Sequence, residues 1–215
     1  MRTNRKPYQL KTLIIIGALF LNIPSVYAQT PKEYNGRGLI YFKQNNFIAA
    51  VTEFTKAVEA DHNDAQGYAN RALAYVKLGN LTDAISDSTQ AIEINPKDAI
   101  AYYVRGAIYY KQGLFFQAIA DFSQAIAINP KVAKGYMSRA LTYLRVNNYN
   151  EAVADLTKAV AINPNYARAY FNRAVGYYQL KQYDKAWADV HKSQRLGVTV
   201  NPDFMEALKK AKFSS

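Results

Sequence analysis

From Thr30 onward, apolar and aromatic residues recur at three- and four-residue spacing, in stretches divided by short polar breaks such as Asn45-Asn46, Gly79-Asn80 and Asn147-Asn148. That spacing gathers apolar side chains on one face of an α-helix, and Asn or Gly between two such stretches marks where a helix stops. The stretches come in pairs. Between pairs stand AIEINPKDA, AIAINPKVA and AVAINPNYA, whose prolines, Pro96, Pro130 and Pro164, are 34 residues apart. Proline is tolerated in the first turn of a helix and not in its interior, so each Asn-Pro ends one helix and admits the next. One period earlier, AVEADHNDA carries His62 where the others carry proline.

Other positions keep the same register. Tyr34, Tyr68, Tyr102, Tyr136 and Tyr170 form one series, and Tyr41, Tyr75, Tyr109, Tyr143 and Tyr177 a second. Three residues before the second series come Gly38, Ala72, Gly106, Ala140 and Ala174, small enough to let two helices approach closely, and Ala50, Ala84, Ala118, Ala152 and Ala186 follow later. Five units fit, at about 31–64, 65–98, 99–132, 133–166 and 167–200, each reading as two antiparallel helices. Thr30-Pro31-Lys32-Glu33 is a capping box with proline at the first helical position, so the first helix starts there. At the far end, Gly197 to Val200 stretch the fifth unit before a last helix over about 203–213. That helix has Phe204 and Leu208 on one face, and Lys209, Lys210 and Lys212 complement the dipole at its C-terminus. A stack of such units needs a terminal element to cover its exposed end.

A 34-residue helix–turn–helix unit with this pattern of small residue, tyrosine, alanine and proline resembles the tetratricopeptide repeat. The resemblance runs from Thr30 to Pro202 and rests on five units that agree. It implies an all-α fold, a right-handed α-solenoid of five helix–turn–helix repeats with a C-terminal capping helix. The first helices of the units would line a concave groove and the second helices form the convex back. In one respect the chain departs from the family, which has leucine just before the small residue. Here that slot is Arg37, Arg71, Arg105, Arg139 and Arg173, and sixteen residues later the second helix always carries an acid: Glu53, Asp87, Asp121, Asp155 and Asp189. In an antiparallel pair with this turn the two positions face each other, so the arginines are expected to be structural ion-pair partners rather than ligands.

The first 28 residues do not share the period. Arg2, Arg5, Lys6 and Lys11 come without an acid, an apolar run follows from Leu13 to Ile23, and Val26 and Ala28 stand where a signal peptidase reads. This is the layout of a secretory signal peptide over 1–28, with the solenoid in 29–215 and the mature chain starting at Gln29. A membrane-spanning helix needs about 20 apolar residues, and Asn22 and Pro24 interrupt the run too early; an uncleaved anchor is the alternative. The expected location is periplasmic or extracellular, with no stable membrane anchor after cleavage. With no cysteine there is no disulfide and no lipoprotein acylation, and stability rests on packed apolar surface. Loss of the leader removes four basic residues and no acid, taking the net charge from +11 to +7, enough to favour anionic partners.

Nothing in the chain suggests an enzyme, a cofactor or a metal centre. The two histidines, His62 in an inter-repeat turn and His191 on the fifth second helix, are too far apart along a solenoid to share a metal, and no cysteine could help them. There is no glycine-rich phosphate loop and no nucleophile elbow. Nucleic-acid binding is disfavoured by the export layout and because basic residues alternate with acids along the sequence.

Binding is the remaining class. By resemblance to the family, residues two, five, six, nine, twelve and thirteen of each unit line the groove. The candidate site these slots define comprises Asn70, Tyr103, Tyr110, Lys134, Met137, Arg168, Phe171 and Tyr178, with Lys43, Lys77, Lys111 and Arg145 as a basic ladder in the last slot. Large apolar groups in a concave cleft point to contact with a partner. The alternative is that these aromatics pack the first helices together and that the ladder is a solvated helix face. The lysine–asparagine carboxylate clamp of chaperone-type members is missing, because slot nine holds Leu39, Leu73, Ala107, Leu141 and Val175. The expected function is an extracytoplasmic protein–protein interaction scaffold taking a protein or peptide segment, with an acidic bias. The second reading is a self-assembling structural subunit of an envelope complex, a homo-oligomer.

Overall fold

The computed structural model describes residues 30–213, so the leader read over 1–28 lies outside the described residues. The described chain is helical throughout. Five hairpins follow one another: α1 (Pro31–Lys43) with α2 (Phe47–Ala60), α3 (Ala65–Leu78) with α4 (Leu81–Ile94), α5 (Ala99–Lys111) with α6 (Phe115–Ile128), α7 (Ala133–Arg145) with α8 (Tyr149–Ile162), and α9 (Ala167–Gln179) with α10 (Tyr183–Arg195). The helix α11 (Pro202–Phe213) packs on α10.

Local chemistry sets the helix ends. Thr30 and Glu33 form the reciprocal capping box, with Thr30 N–H donating to the Glu33 carboxylate at 2.7 Å. Asn95 and Asn163 each accept a hydrogen bond on Oδ1 from the backbone N–H two residues on, at 3.1 Å, which turns the chain after α4 and α8. The turn inside each hairpin needs one residue of positive φ, and that place is taken by Asn45, Gly79, Gly113, Asn147 and Lys181. Lysine is the poorest of these, because its Cβ crowds the carbonyl in the left-handed region. Lys181→Gly should therefore raise the unfolding free energy by up to about 1 kcal/mol, the relief of strain exceeding the extra unfolded-state entropy of glycine; a urea titration of the two proteins checks it.

Packing within each hairpin is a knob against a small residue. The second helices put Phe54, Ser88, Phe122, Leu156 and Val190 at the same slot, all buried. They face Gly38, Ala72, Gly106, Ala140 and Ala174, and the two phenylalanines fall in the two units that have glycine. The lack of a Cβ is required there, since one on Gly38 would stand 2.5 and 2.9 Å from Cδ1 and Cζ of Phe54. Each second helix also packs on the first helix of the next unit, and successive first helices (α1, α3, α5, α7, α9) meet one another. The first helices are thus the inner layer of a solenoid, and the second helices stand behind them.

The arginines sit at the junction of three helices. Arg71 donates from Nε and Nη2 to both oxygens of Asp87 at 2.7 and 2.8 Å, and from Nη1 to Thr55 Oγ1 of the preceding unit at 3.2 Å. Arg105 repeats this with Asp121 and Thr89, Arg139 with Asp155 and Ser123, and Arg173 with Asp189 and Thr157. A planar fork of donors suits this use, two bonds closing a hairpin and a third tying it to the unit before. The tyrosine series flank the same groups: Arg173 lies 5.4 and 5.8 Å from the ring centres of Tyr170 and Tyr177. The Asp121 bond, working against burial, holds the Arg105 guanidinium above its usual range.

Among the described residues no unit stands before the first, and Arg37 makes one hydrogen bond there, from Nε to Glu53 at 2.6 Å. Lys56 supplies the other partner of Glu53. Burial works to raise the Glu53 carboxyl, but the bonds from Lys56 and Arg37 outweigh it and hold it below the usual glutamate range. A carboxylate depressed in the folded state stabilises at pH above its unfolded pKa, and that stability is lost as pH falls through the folded value. The first hairpin should therefore loosen on acidification below about 4.5. Hydrogen exchange of the α1 amides on either side of that pH would show it, and Glu53→Gln should remove that part of the dependence.

Candidate functional site

The inner layer carries a cleft of about 270 Å³ between α5, the C-terminal end of α6 and the start of α7, with Leu73 of α3 also on its wall. Ile100 and Tyr103 come from α5, Ile126 from α6, and Val132 and Lys134 from the entry to α7. Tyr103 is held from three directions. Its ring packs on Phe122 at 5.6 Å, its hydroxyl lies 3.1 Å from Ser138 Oγ, and the Lys134 ammonium stands 5.0 Å from the ring centre.

Helix capping changes where the cleft lies. Among the first helices, α3 is capped by Asp64, which accepts from Gly67 N–H at 3.0 Å, and α5 by Asp98, which accepts from Ile100 and Ala101 N–H at 2.8 and 3.2 Å. The same slot holds Val132 before α7 and Tyr166 before α9, and neither helix has a side-chain cap. Giving up such a cap costs about 0.5–2 kcal/mol. In exchange Val132 becomes part of the cleft wall. Burial pushes the Tyr166 phenol up, the nearby Tyr103 phenol adds to that, and Arg168 opposes it, so the two tyrosines and the arginine form one neighbourhood. Side-chain caps are missing before α6, α8 and α10 as well, and Tyr166 packs on the core beside Met137, so what singles out Val132 is the cleft that it lines.

The expected groove residues meet four different fates. Tyr103 and Lys134 line the cleft, and Arg168 stands exposed in the first turn of α9 near Tyr166. Tyr110 is half-buried, its ring 5.8 Å from that of Phe115 in the next helix. Met137, expected in the groove, is a core residue: it is 6 % exposed and clustered with Ala140 and Leu156, with Tyr166 and Tyr170 packed against the cluster. Asn70 is 5 % exposed; its Oδ1 accepts from Gln66, and its Nδ2 has no hydrogen-bond partner among the described residues. Phe171 and Tyr178, expected to be open to a partner, are engaged by the chain itself, since Phe204 of α11 packs on them at 5.8 and 5.5 Å.

Leu73, Ile100, Ile126 and Val132 were not among the expected site residues. The signal that could have found them is the last slot of the unit, which reads Asp64, Asp98, Val132 and Tyr166 and switches from capping to apolar at the cleft. The hydroxyl series Thr55, Thr89, Ser123 and Thr157 was equally periodic and equally readable as a partner of the next unit's arginine.

Stacked helical hairpins with an inner face that holds a side-chain-sized cleft define a binding scaffold of the helical-repeat class. A family model described as TPR repeat matches residues 38–79, 73–113 and 142–181, and one described as tetratricopeptide repeat matches 99–132. The chain belongs to the tetratricopeptide-repeat family. Solved structures share its fold. MamA is 24% identical, with a TM-score of 0.67 over 74% of this chain and 93% of that one. PilF of Pseudomonas aeruginosa is 19% identical, with a TM-score of 0.73 over 79% of this chain and 78% of that one. YrrB, described as a TPR protein with an unusual peptide-binding site, is 19% identical, with a TM-score of 0.65 over 86% and 99%. A search of curated proteins returned no match. Among the described residues, no helix is long and apolar enough to cross a membrane.

Proposed function

We propose that this protein is an exported interaction scaffold that holds a segment of a partner protein on the inner face of its solenoid. The observation that carries the reading is the apolar cleft at α5–α7, walled by Ile100, Tyr103 and Val132 at a place where a helix cap has been given up. Family membership and the likeness to YrrB support it. The basic, apolar and cleavable layout of residues 1–28 supports export. The chain has no cysteine, so a single photoreactive or thiol group placed at Ile100 reports on the cleft alone. A discrete protein adduct should form there and disappear in Tyr103→Ala. Adducts formed only from the back helix, at Phe116, would move the binding surface to the convex side. Mass spectrometry of the exported protein should find Gln29 at its N-terminus; residues before it still attached would mean an anchored protein.

A second reading, self-association through the N-terminal end, has its own observation. Ile40 is 56 % exposed, whereas its counterparts Ala74, Ile108, Thr142 and Gly176 are buried under the preceding unit. Sedimentation velocity over a concentration series decides it: a dimer dispersed by Ile40→Glu would favour this reading, and a monomer at all concentrations would end it.

A further inference from the structure

Folding sorts the charges of this chain into layers. Along the sequence acids and bases alternate, but the acids stand on the second helices, in the turns and on α11. The inner helices α1, α3, α5, α7 and α9 carry one carboxylate, Glu33, and the Thr30 capping box engages it. Their five repeated arginines are neutralised from behind by the second helices. Lys32, Lys43, Lys77, Lys111, Lys134, Arg145 and Arg168 remain, exposed and without an ion-pair partner among the described residues. The inner face therefore carries an excess of positive charge over the one carboxylate Glu33, which draws anionic segments and repels basic ones.

We propose, building on the scaffold reading, that the partner is an acidic peptide segment carrying one bulky aliphatic or aromatic residue. That side chain fills the cleft, and carboxylates next to it meet Lys134 at the cleft and Arg168 one unit further on. Size and chemistry select this occupant. Small-molecule pockets hold roughly 300–1,000 Å³, and this cleft, at about 270 Å³, falls just below that range and has room for one large side chain. Its walls are Leu73, Ile100, Ile126 and Val132 with a single tyrosine, which seat an apolar side chain and offer no series of aromatic platforms for stacked bases. The Tyr103 hydroxyl beside Ser138 adds a neutral donor on the same ring that Lys134 approaches.

The test uses the protein as purified and short fluorescent peptides of Glu and Ser around one central Phe, read by anisotropy. The Glu/Phe peptide should bind roughly tenfold or more tightly than its Lys-for-Glu counterpart and than its Ser-for-Phe counterpart, and added salt should weaken it. Lys134→Gln with Arg168→Gln should lower affinity roughly tenfold and flatten the salt dependence, leaving the melting temperature unchanged. If a Gln-for-Glu peptide that keeps Phe binds as well as the acidic one, the acidic preference fails while the scaffold reading stands. Tighter binding of single-stranded oligothymidylate than of the acidic peptide would overturn the proposal in favour of a nucleic-acid surface. No binding by any peptide would overturn it too.

Discussion

Arg105→Leu should lower the unfolding free energy by about 3–5 kcal/mol, because it leaves a buried charge without its partner. Asp121, 8 % exposed at its side chain, would lose both of its guanidinium bonds. Thr89 of the preceding unit would lose a third. The loss should reach beyond one hairpin, since that bond ties α4 to α5, and a stack of repeats is stabilised by its neighbour interfaces. Making Asp121 apolar as well should recover much of the stability, since replacing a whole buried pair by packed apolar groups is often neutral. A urea titration of the single and double variants measures both effects; a double variant no better than Arg105→Leu would show that the ion pair is not what holds the hairpin. The corresponding change at Arg37 should cost less, because its side chain is 34 % exposed and makes one bond, to Glu53, among the described residues.

Phe54→Ala should cost about 3–5 kcal/mol, the usual range for deleting a fully buried phenyl ring. The same contact can be tested from its other side. Gly38→Ala gains up to about 1 kcal/mol of helix propensity, but its methyl would meet the Phe54 ring, which is fully buried and cannot move away. Overpacking of this kind costs about 1–3 kcal/mol, so a net loss is expected. Gly38→Ala combined with Phe54→Leu should return close to the parent stability, as it reproduces the pairing of Ala140 with Leu156 two units before the C-terminal cap. Gly36→Ala on the same helix is the control: nothing lies within 4 Å of that site, and a gain of about 0.5–1 kcal/mol is expected from propensity alone. Additive effects of Gly38→Ala and Phe54→Leu would sink the knob-and-glycine account.

Much of this was readable in advance for a physical reason: a repeat states each local rule five times. The turn residues Asn45, Gly79, Gly113, Asn147 and Lys181 sit 34 apart because the same left-handed position recurs. The partnership of Arg71 with Asp87 could be read from spacing, because sixteen residues across a tight helical turn bring two side chains level. The co-variation of glycine with phenylalanine was present in the sequence as well, although only the packed hairpin shows that Phe54 and Gly38 touch.

The sequence by itself thus determined the period, the helices, the cap of the first helix and the pairing of each arginine with its acid, which depend on residues close together along the chain. The open binding surface was decided by the tertiary structure alone. Whether a slot on a first helix faces a partner depends on what neighbouring units and the terminal helix lay over it. Met137 and Tyr103 occupy the same slot of adjacent units, yet one is core and the other walls the cleft. Phe171, in that slot of the next unit, is taken by Phe204, which stands 33 residues further along the chain. Charge followed the same logic. The acids that alternate with bases along the sequence end almost wholly outside the inner layer, while bases stand in both, because the two helices of every hairpin belong to different layers.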